Sequence, residues 1–122
     1  MLLPGFYKIL NIHSTNNQLQ AVIQLNAAHE VFKGHFPNNP VTPGVCMLQI
    51  FKELTEQTTN KTLFIKECTN VKFMAIINPE VHSDLKIVID FTDASSTIKI
   101  KASASFDETT ALKVSAVLSE QL

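Results

Sequence analysis

An α+β fold, an antiparallel sheet wrapped around one central helix, is predicted by three observations in this sequence. Period-two alternation runs through both ends of the chain, a single apolar segment of helical spacing lies between them, and turn-forming residues punctuate the rest. With 122 residues, the chain 1–122 is expected to form a single domain that buries about two thirds of its unfolded surface.

The first element is a β-hairpin, Phe6 to Ile12 and Gln18 to Leu25, turning at Ser14-Thr15-Asn16-Asn17. In its second strand Leu19, Ala21, Ile23 and Leu25 share one face while Gln20 and Gln24 take the other. A helix is predicted from Val45 to Gln57, entered near Gly44, with Val45, Leu48, Phe51 and Leu54 at helical spacing and Cys46, Met47 and Ile50 on other sides. Apolar over most of its girth, it should be largely enclosed, and Glu53 to Lys61 reads as its exit to solvent. From Thr62 onward alternation returns. Leu85, Ile87, Ile89 and Phe91 form one face, Ile98, Ile100, Ala102, Ala104 and Phe106 the next, and Leu112, Val114, Ala116 and Leu118 a third. Asp93-Ala94-Ser95-Ser96 and Asp107-Glu108-Thr109-Thr110 supply the turns, so consecutive strands are expected to pair as hairpins, with Lys99 and Lys101 discouraging edge-to-edge contact. One sheet cannot hide such a helix completely, and the leftover apolar surface calls for a second copy related by a two-fold axis.

Composition excludes several function classes. The longest uncharged apolar run, Val45 to Phe51, is far shorter than the ~20 residues a bilayer requires, so no membrane insertion is expected. The N-terminal Met1-Leu2-Leu3-Pro4 has no basic flank, which makes the cytoplasm the default compartment. All ten basic residues are lysines and the net charge is −1, so the guanidinium fork that suits phosphate and guanine is absent and nucleic acid is not an expected partner. Cys46 and Cys68 lack CxxC spacing, and His13, His29, His35 and His82 lack HxxxH spacing; neither a metal nor another cofactor is expected.

The segment that concentrates chemistry is 29–49. Gly34, Pro37, Pro40, Pro43 and Gly44 fall here, and the rest of the chain is nearly free of glycine and proline. Proline fixes φ and glycine permits turns closed to other residues, so the segment holds one titratable ring, His35, in a defined pose just before the helix.

Gly34-His35-Phe36-Pro37-Asn38-Asn39-Pro40-Val41-Thr42-Pro43-Gly44-Val45 resembles the active-site motif of the 3-hydroxyacyl-[acyl carrier protein] dehydratases, which have the hot-dog fold. Val71-Lys72-Phe73-Met74-Ala75-Ile76-Ile77-Asn78-Pro79 is similar to a strand of that family, and the later alternating strands match its remaining sheet. The resemblance implies sheets joined edge to edge in a homodimer or a higher homo-oligomer, with two sites at the interface. It also implies a histidine, matched by His35, that works with a carboxylate from the central helix of the other protomer. That carboxylate stands fourteen residues past the histidine, and position 49 here is glutamine.

The substitution bears on mechanism. Removing a proton α to a thioester carbonyl needs a base near neutrality, which imidazole is, and donors aimed at the developing enolate oxygen. The first-turn amides of Gly44 and Val45, entered through Pro43, suit the second task, and Phe36 completes the expected substrate-binding set. Protonating the departing hydroxide needs an acid, which the carboxamide of Gln49 is not, and losing a general acid costs about 10²–10⁴ in rate. Three ways out stay open: His35 serves as base and then acid while Gln49 orients the hydroxyl; Glu53, one turn on, reaches the site; or the acyl pocket serves other chemistry. The expected function is therefore dehydratase-like action on 3-hydroxyacyl thioesters carried on acyl carrier protein, in fatty-acid, related lipid or polyene synthesis. The alternatives are a hot-dog thioesterase and a non-catalytic acyl-binding subunit paired with an active homologue. Lys33 and Lys52 are placed near the mouth, facing the acidic carrier.

Overall fold

The hairpin at the N-terminus is present in the computed structural model, which describes residues 4–34, 41–94 and 96–120. Strands β1 (Tyr7–Ser14) and β2 (Gln18–Leu25) pair antiparallel, closed by the Thr15 amide donating to the Gln18 carbonyl at 2.8 Å. A bulge between Ile9 and Asn11 leaves Leu10 outside the ladder and exposed. A short helix α1 (Val31–Gly34) follows, then the long helix α2 (Gly44–Thr59) and strands β3 (Leu63–Phe73), β4 (Asp84–Ala94), β5 (Thr97–Phe106) and β6 (Thr109–Glu120). Ser95 of one expected turn lies outside the described residues, as does His35 to Pro40 of the proline-rich segment.

The six strands form one antiparallel sheet in the order β1-β2-β4-β5-β6-β3. The alternating faces fall inward as expected: Leu85, Ile87 and Ile89 on β4, Ile98 and Ile100 on β5, and Val114 and Leu118 on β6 are all buried. Helix α2 lays Cys46, Met47, Ile50, Phe51, Leu54 and Thr55 into that concave face. Thr55 is tolerated there because its hydroxyl donates to the Phe51 carbonyl at 2.8 Å. Asn60, left-handed at φ 58°, ends the helix.

Three expectations need correction. Strand β5, carrying Lys99 and Lys101, lies between β4 and β6, so those lysines guard no edge; the free edges belong to β1 and β3. The strands joined by the two expected turns do pair as hairpins, β4 with β5 and β5 with β6, while β3 pairs with β6 and β4 also with β2. The helix runs two residues past Gln57, and Leu54 and Thr55 in its expected exit are fully buried. Val45 belongs to the uncovered side of α2, at 73% exposure.

Strand β3 leaves an unfilled face. Val71 and Phe73 pair with Val114 and Leu112, which are buried on the helix side of the sheet, yet Val71 is 42% and Phe73 57% exposed. The described residues of the chain leave both only partly covered.

Candidate active site

The site grows from the entry of α2. Pro43, extended at φ −63° and ψ 143°, stands at the N-cap with no side-chain hydrogen bond to the first turn. The amides of Cys46 and Met47 turn back onto its carbonyl at 3.1 and 3.3 Å. Those of Gly44 and Val45 have no acceptor among the described residues. Two free N–H groups at the positive end of a four-turn helix are suited to a developing oxyanion.

Beside this entry the chain leaves β3 at Phe73 and returns over it. The Met74 and Ala75 amides donate to the Ala111 carbonyl at 2.8 and 3.2 Å, and the Thr42 amide donates to the Ile77 carbonyl at 2.9 Å. Between the two segments, Val41, Thr42 and Phe73 to Ile77 line a cavity of about 360 Å³. Its walls are apolar apart from Thr42, whose buried hydroxyl has no hydrogen-bond partner among the described residues. The Phe73 ring packs over Gly44, where a Cβ would stand 2.6 Å from its Cζ, so glycine is what admits the ring. A larger groove, about 690 Å³, lies across the sheet's outer face among Thr69, Asp90, Lys101 and Ser115, and contains none of the expected site residues.

One turn beyond Val45 on the uncovered side of α2 stands Gln49. Its Nε2 donates to Glu53 Oε2 at 2.7 Å, and the hydroxyl of Tyr7, the first residue of β1, donates to Glu53 Oε1 at 2.8 Å. Burial pushes the Tyr7 phenol well above its ordinary range, and the hydrogen bond and charge of Glu53 push it further, so Tyr7 stays a donor.

Of the expected site residues, half-buried Pro43, Gly44 and Gln49 and exposed Val45 lie along the entry and flank of α2, whereas His35 and Phe36 lie outside the described residues. Glu53, read from sequence chiefly as a solvated helix charge, is instead half-buried and hydrogen-bonded on both oxygens. Lys52, placed at the mouth from sequence, is engaged by Glu56 at 3.5 Å and reaches the Leu63 carbonyl at 3.4 Å. Met47 is wholly core, and Phe73 lines the cavity. Cys46 packs in the core, where burial raises its thiol pKa and suppresses the nucleophilic thiolate.

A family model described as ApeI-like, ApeI dehydratase, matches residues 11–113. The chain belongs to the ApeI-like dehydratase family. Among curated relatives of this ApeI-like chain is the 3-hydroxyacyl-[acyl-carrier-protein] dehydratase FabZ of Rickettsia canadensis, 30% identical over 118 residues and covering 82% of each chain. The FabZ of Rickettsia typhi is 30% identical over 102 residues, covering 73% of this chain and 70% of its own. Among solved structures, the dehydratase heterocomplex ApeI:P from Xenorhabdus doucetiae superposes with a TM-score of 0.76 at 17% identity, over 93% of this chain and 97% of that one. A putative thioesterase from Shewanella oneidensis has the same hot-dog fold, at a TM-score of 0.59 and 11% identity over 95% of this chain and 84% of that one. The architecture is thus shared with proteins named for different chemistry, and it is the site that distinguishes them.

Among the described residues, no helix is long and apolar enough to cross a membrane.

Proposed function

We propose that this chain eliminates water from 3-hydroxyacyl thioesters carried on acyl carrier protein, in the cytoplasm, as a single-domain subunit of a homodimer or higher homo-oligomer. The pathway class is fatty-acid, related lipid or polyene synthesis. Supporting the substrate are membership in a dehydratase family and relatives named for 3-hydroxyacyl carrier-protein dehydration. The observation that carries the reaction type is the pair of free amides at Gly44 and Val45, a ready site for the enolate oxygen of a thioester, beside an apolar cavity suited to an aliphatic chain.

The chemistry runs as an elimination. His35, assigned from its place in the sequence motif, takes a proton from Cα as the carbonyl oxygen gains charge against the Gly44 and Val45 amides. The Cα–Cβ double bond then forms as the Cβ–O bond breaks, and the imidazolium returns its proton to the departing hydroxyl, releasing water. One histidine handles both transfers because Gln49 has no proton to give at physiological pH. Phe36, assigned from the same sequence motif, and Pro43, at the N-cap of α2, complete the proposed substrate-binding set. The partly covered Val71 and Phe73 on the β3 edge support assembly through that edge.

A second reading, an acyl-binding subunit paired with an active homologue, is favoured by the glutamine at position 49 and by the heterocomplex named for its Xenorhabdus neighbour. Incubating the purified chain with 3-hydroxyacyl carrier proteins of several lengths and following products by mass spectrometry separates the readings. A product lighter by one water supports the dehydratase, release of free acid and thiol supports the thioesterase, and no turnover supports the paired subunit.

A further inference from the structure

We propose that Tyr7 and Glu53 are positioning residues that lock the Gln49 carboxamide with its oxygen turned toward the ligand, so that the site selects a 3-hydroxyl group by accepting its hydrogen bond. This inference rests on the acyl-thioester reading of the same site. Its starting point is the sense of two hydrogen bonds. A carboxylate facing two donors accepts both, so Glu53 obliges Gln49 to present Nε2 to it, at 2.7 Å. The two ends of a carboxamide diverge, and with the nitrogen committed toward the C-terminal end of α2, Oε1 is left on the opposite branch. Val45 stands one turn back along the same helix face, so that branch lies toward the free amides of Gly44 and Val45.

Tyr7 makes the lock rigid. Its hydroxyl reaches Glu53 Oε1 at 2.8 Å from 46 residues away, tying the start of β1 to the third turn of α2. The Tyr7 side chain is buried and Glu53 is held at both oxygens, which restricts a long, rotamer-rich side chain to one pose. Without Glu53 as an acceptor, the carboxamide of Gln49 presents oxygen or nitrogen with little preference. An acceptor held at position 49 takes the hydrogen of a 3-hydroxyl group, a bond that a ligand lacking the hydroxyl does not make.

The test uses two ligands that cannot eliminate: a 3-hydroxyacyl pantetheine with an amide in place of the thioester, and its counterpart lacking the hydroxyl. Both are titrated against the full chain calorimetrically. One added hydrogen bond corresponds to a preference of about tenfold for the hydroxylated ligand in the wild type. Glu53→Gln is expected to reduce it to about twofold, and Tyr7→Phe, nearly isosteric, to reduce it by about threefold, since the anchor remains but loosens. The exchange variant, Gln49→Glu with Glu53→Gln, keeps the bond between the two positions with its sense reversed. A glutamate oxygen still faces the ligand there, so the preference is expected to return. An undiminished preference in both single variants, no recovery in the exchange, or no preference in the wild type overturns the proposal. Because neither ligand reacts, these outcomes are independent of whether the chain turns over 3-hydroxyacyl thioesters.

Discussion

The Phe73 ring rests against Gly44 at the first turn of α2, in the space that any side chain at position 44 would occupy. The contact joins the end of the edge strand to the pair of free helix amides. Gly44→Ala places a Cβ 2.6 Å from the Phe73 Cζ, and because the ring is more than half exposed, it is the ring that moves. The substitution is expected to leave the melting temperature within a few degrees, since alanine is the better helix residue and Gly44 has no positive φ. It is expected to lower kcat/KM by roughly tenfold or more through displacement at the site. Differential scanning calorimetry beside steady-state kinetics checks both halves; equal loss of stability and activity contradicts a local effect.

Tyr7 gives a spectroscopic handle, being the one tyrosine in a chain without tryptophan. Its native pKa is raised by burial and by Glu53, while in the unfolded chain it titrates near its ordinary value of about 10. A raised pKa means that the native state retains the proton longer than the unfolded state does. The stabilisation is therefore complete below the unfolded value and is lost as pH rises beyond it. Ultraviolet titration of the folded protein should show no phenolate at the pH where the urea-unfolded chain ionises fully, and unfolding free energy should fall as pH climbs through that interval. In Glu53→Gln the folded transition should move down, though not to the unfolded value, because burial remains. A native transition at the ordinary value contradicts the Tyr7–Glu53 contact.

The β3 edge predicts assembly. Val71 faces the helix side of the sheet only partly covered, so Val71→Lys introduces a charge where a second copy is expected to pack. Sedimentation velocity should show the wild type as a dimer or larger and the variant shifted toward monomer, with activity falling in step. A wild-type monomer that turns over substrate contradicts a shared site.

Much of this architecture is readable from local pattern. The strands from Leu85 to Leu118 announce themselves because each alternation reports one wet and one buried face, and the helix entry at Gly44 follows from Pro43 and the glycine beside it. Strand order is not local. Whether β3 meets β4 or β6 depends on pairings as distant in sequence as Leu63 with Glu120, and the lysines of β5 look the same at an edge as on the solvent face of an interior strand. Glu53 was obscured for the same reason. Within α2 it stands in a polar stretch, and the residue that gives it a role, Tyr7, lies at the far end of the sequence and near it only after folding. Gln49 was identifiable by counting from His35, but the direction of its amide was not.

The central claim is elimination by one histidine beside a glutamine, and the most direct measurement is the rate of enoyl product formation from 3-hydroxyacyl carrier protein by the wild type and His35→Ala, side by side. The account predicts turnover by the wild type and a loss of at least about 10²–10⁴-fold in the variant, at unchanged melting temperature. Equal rates in the two proteins, or no enoyl product from the wild type, would contradict it.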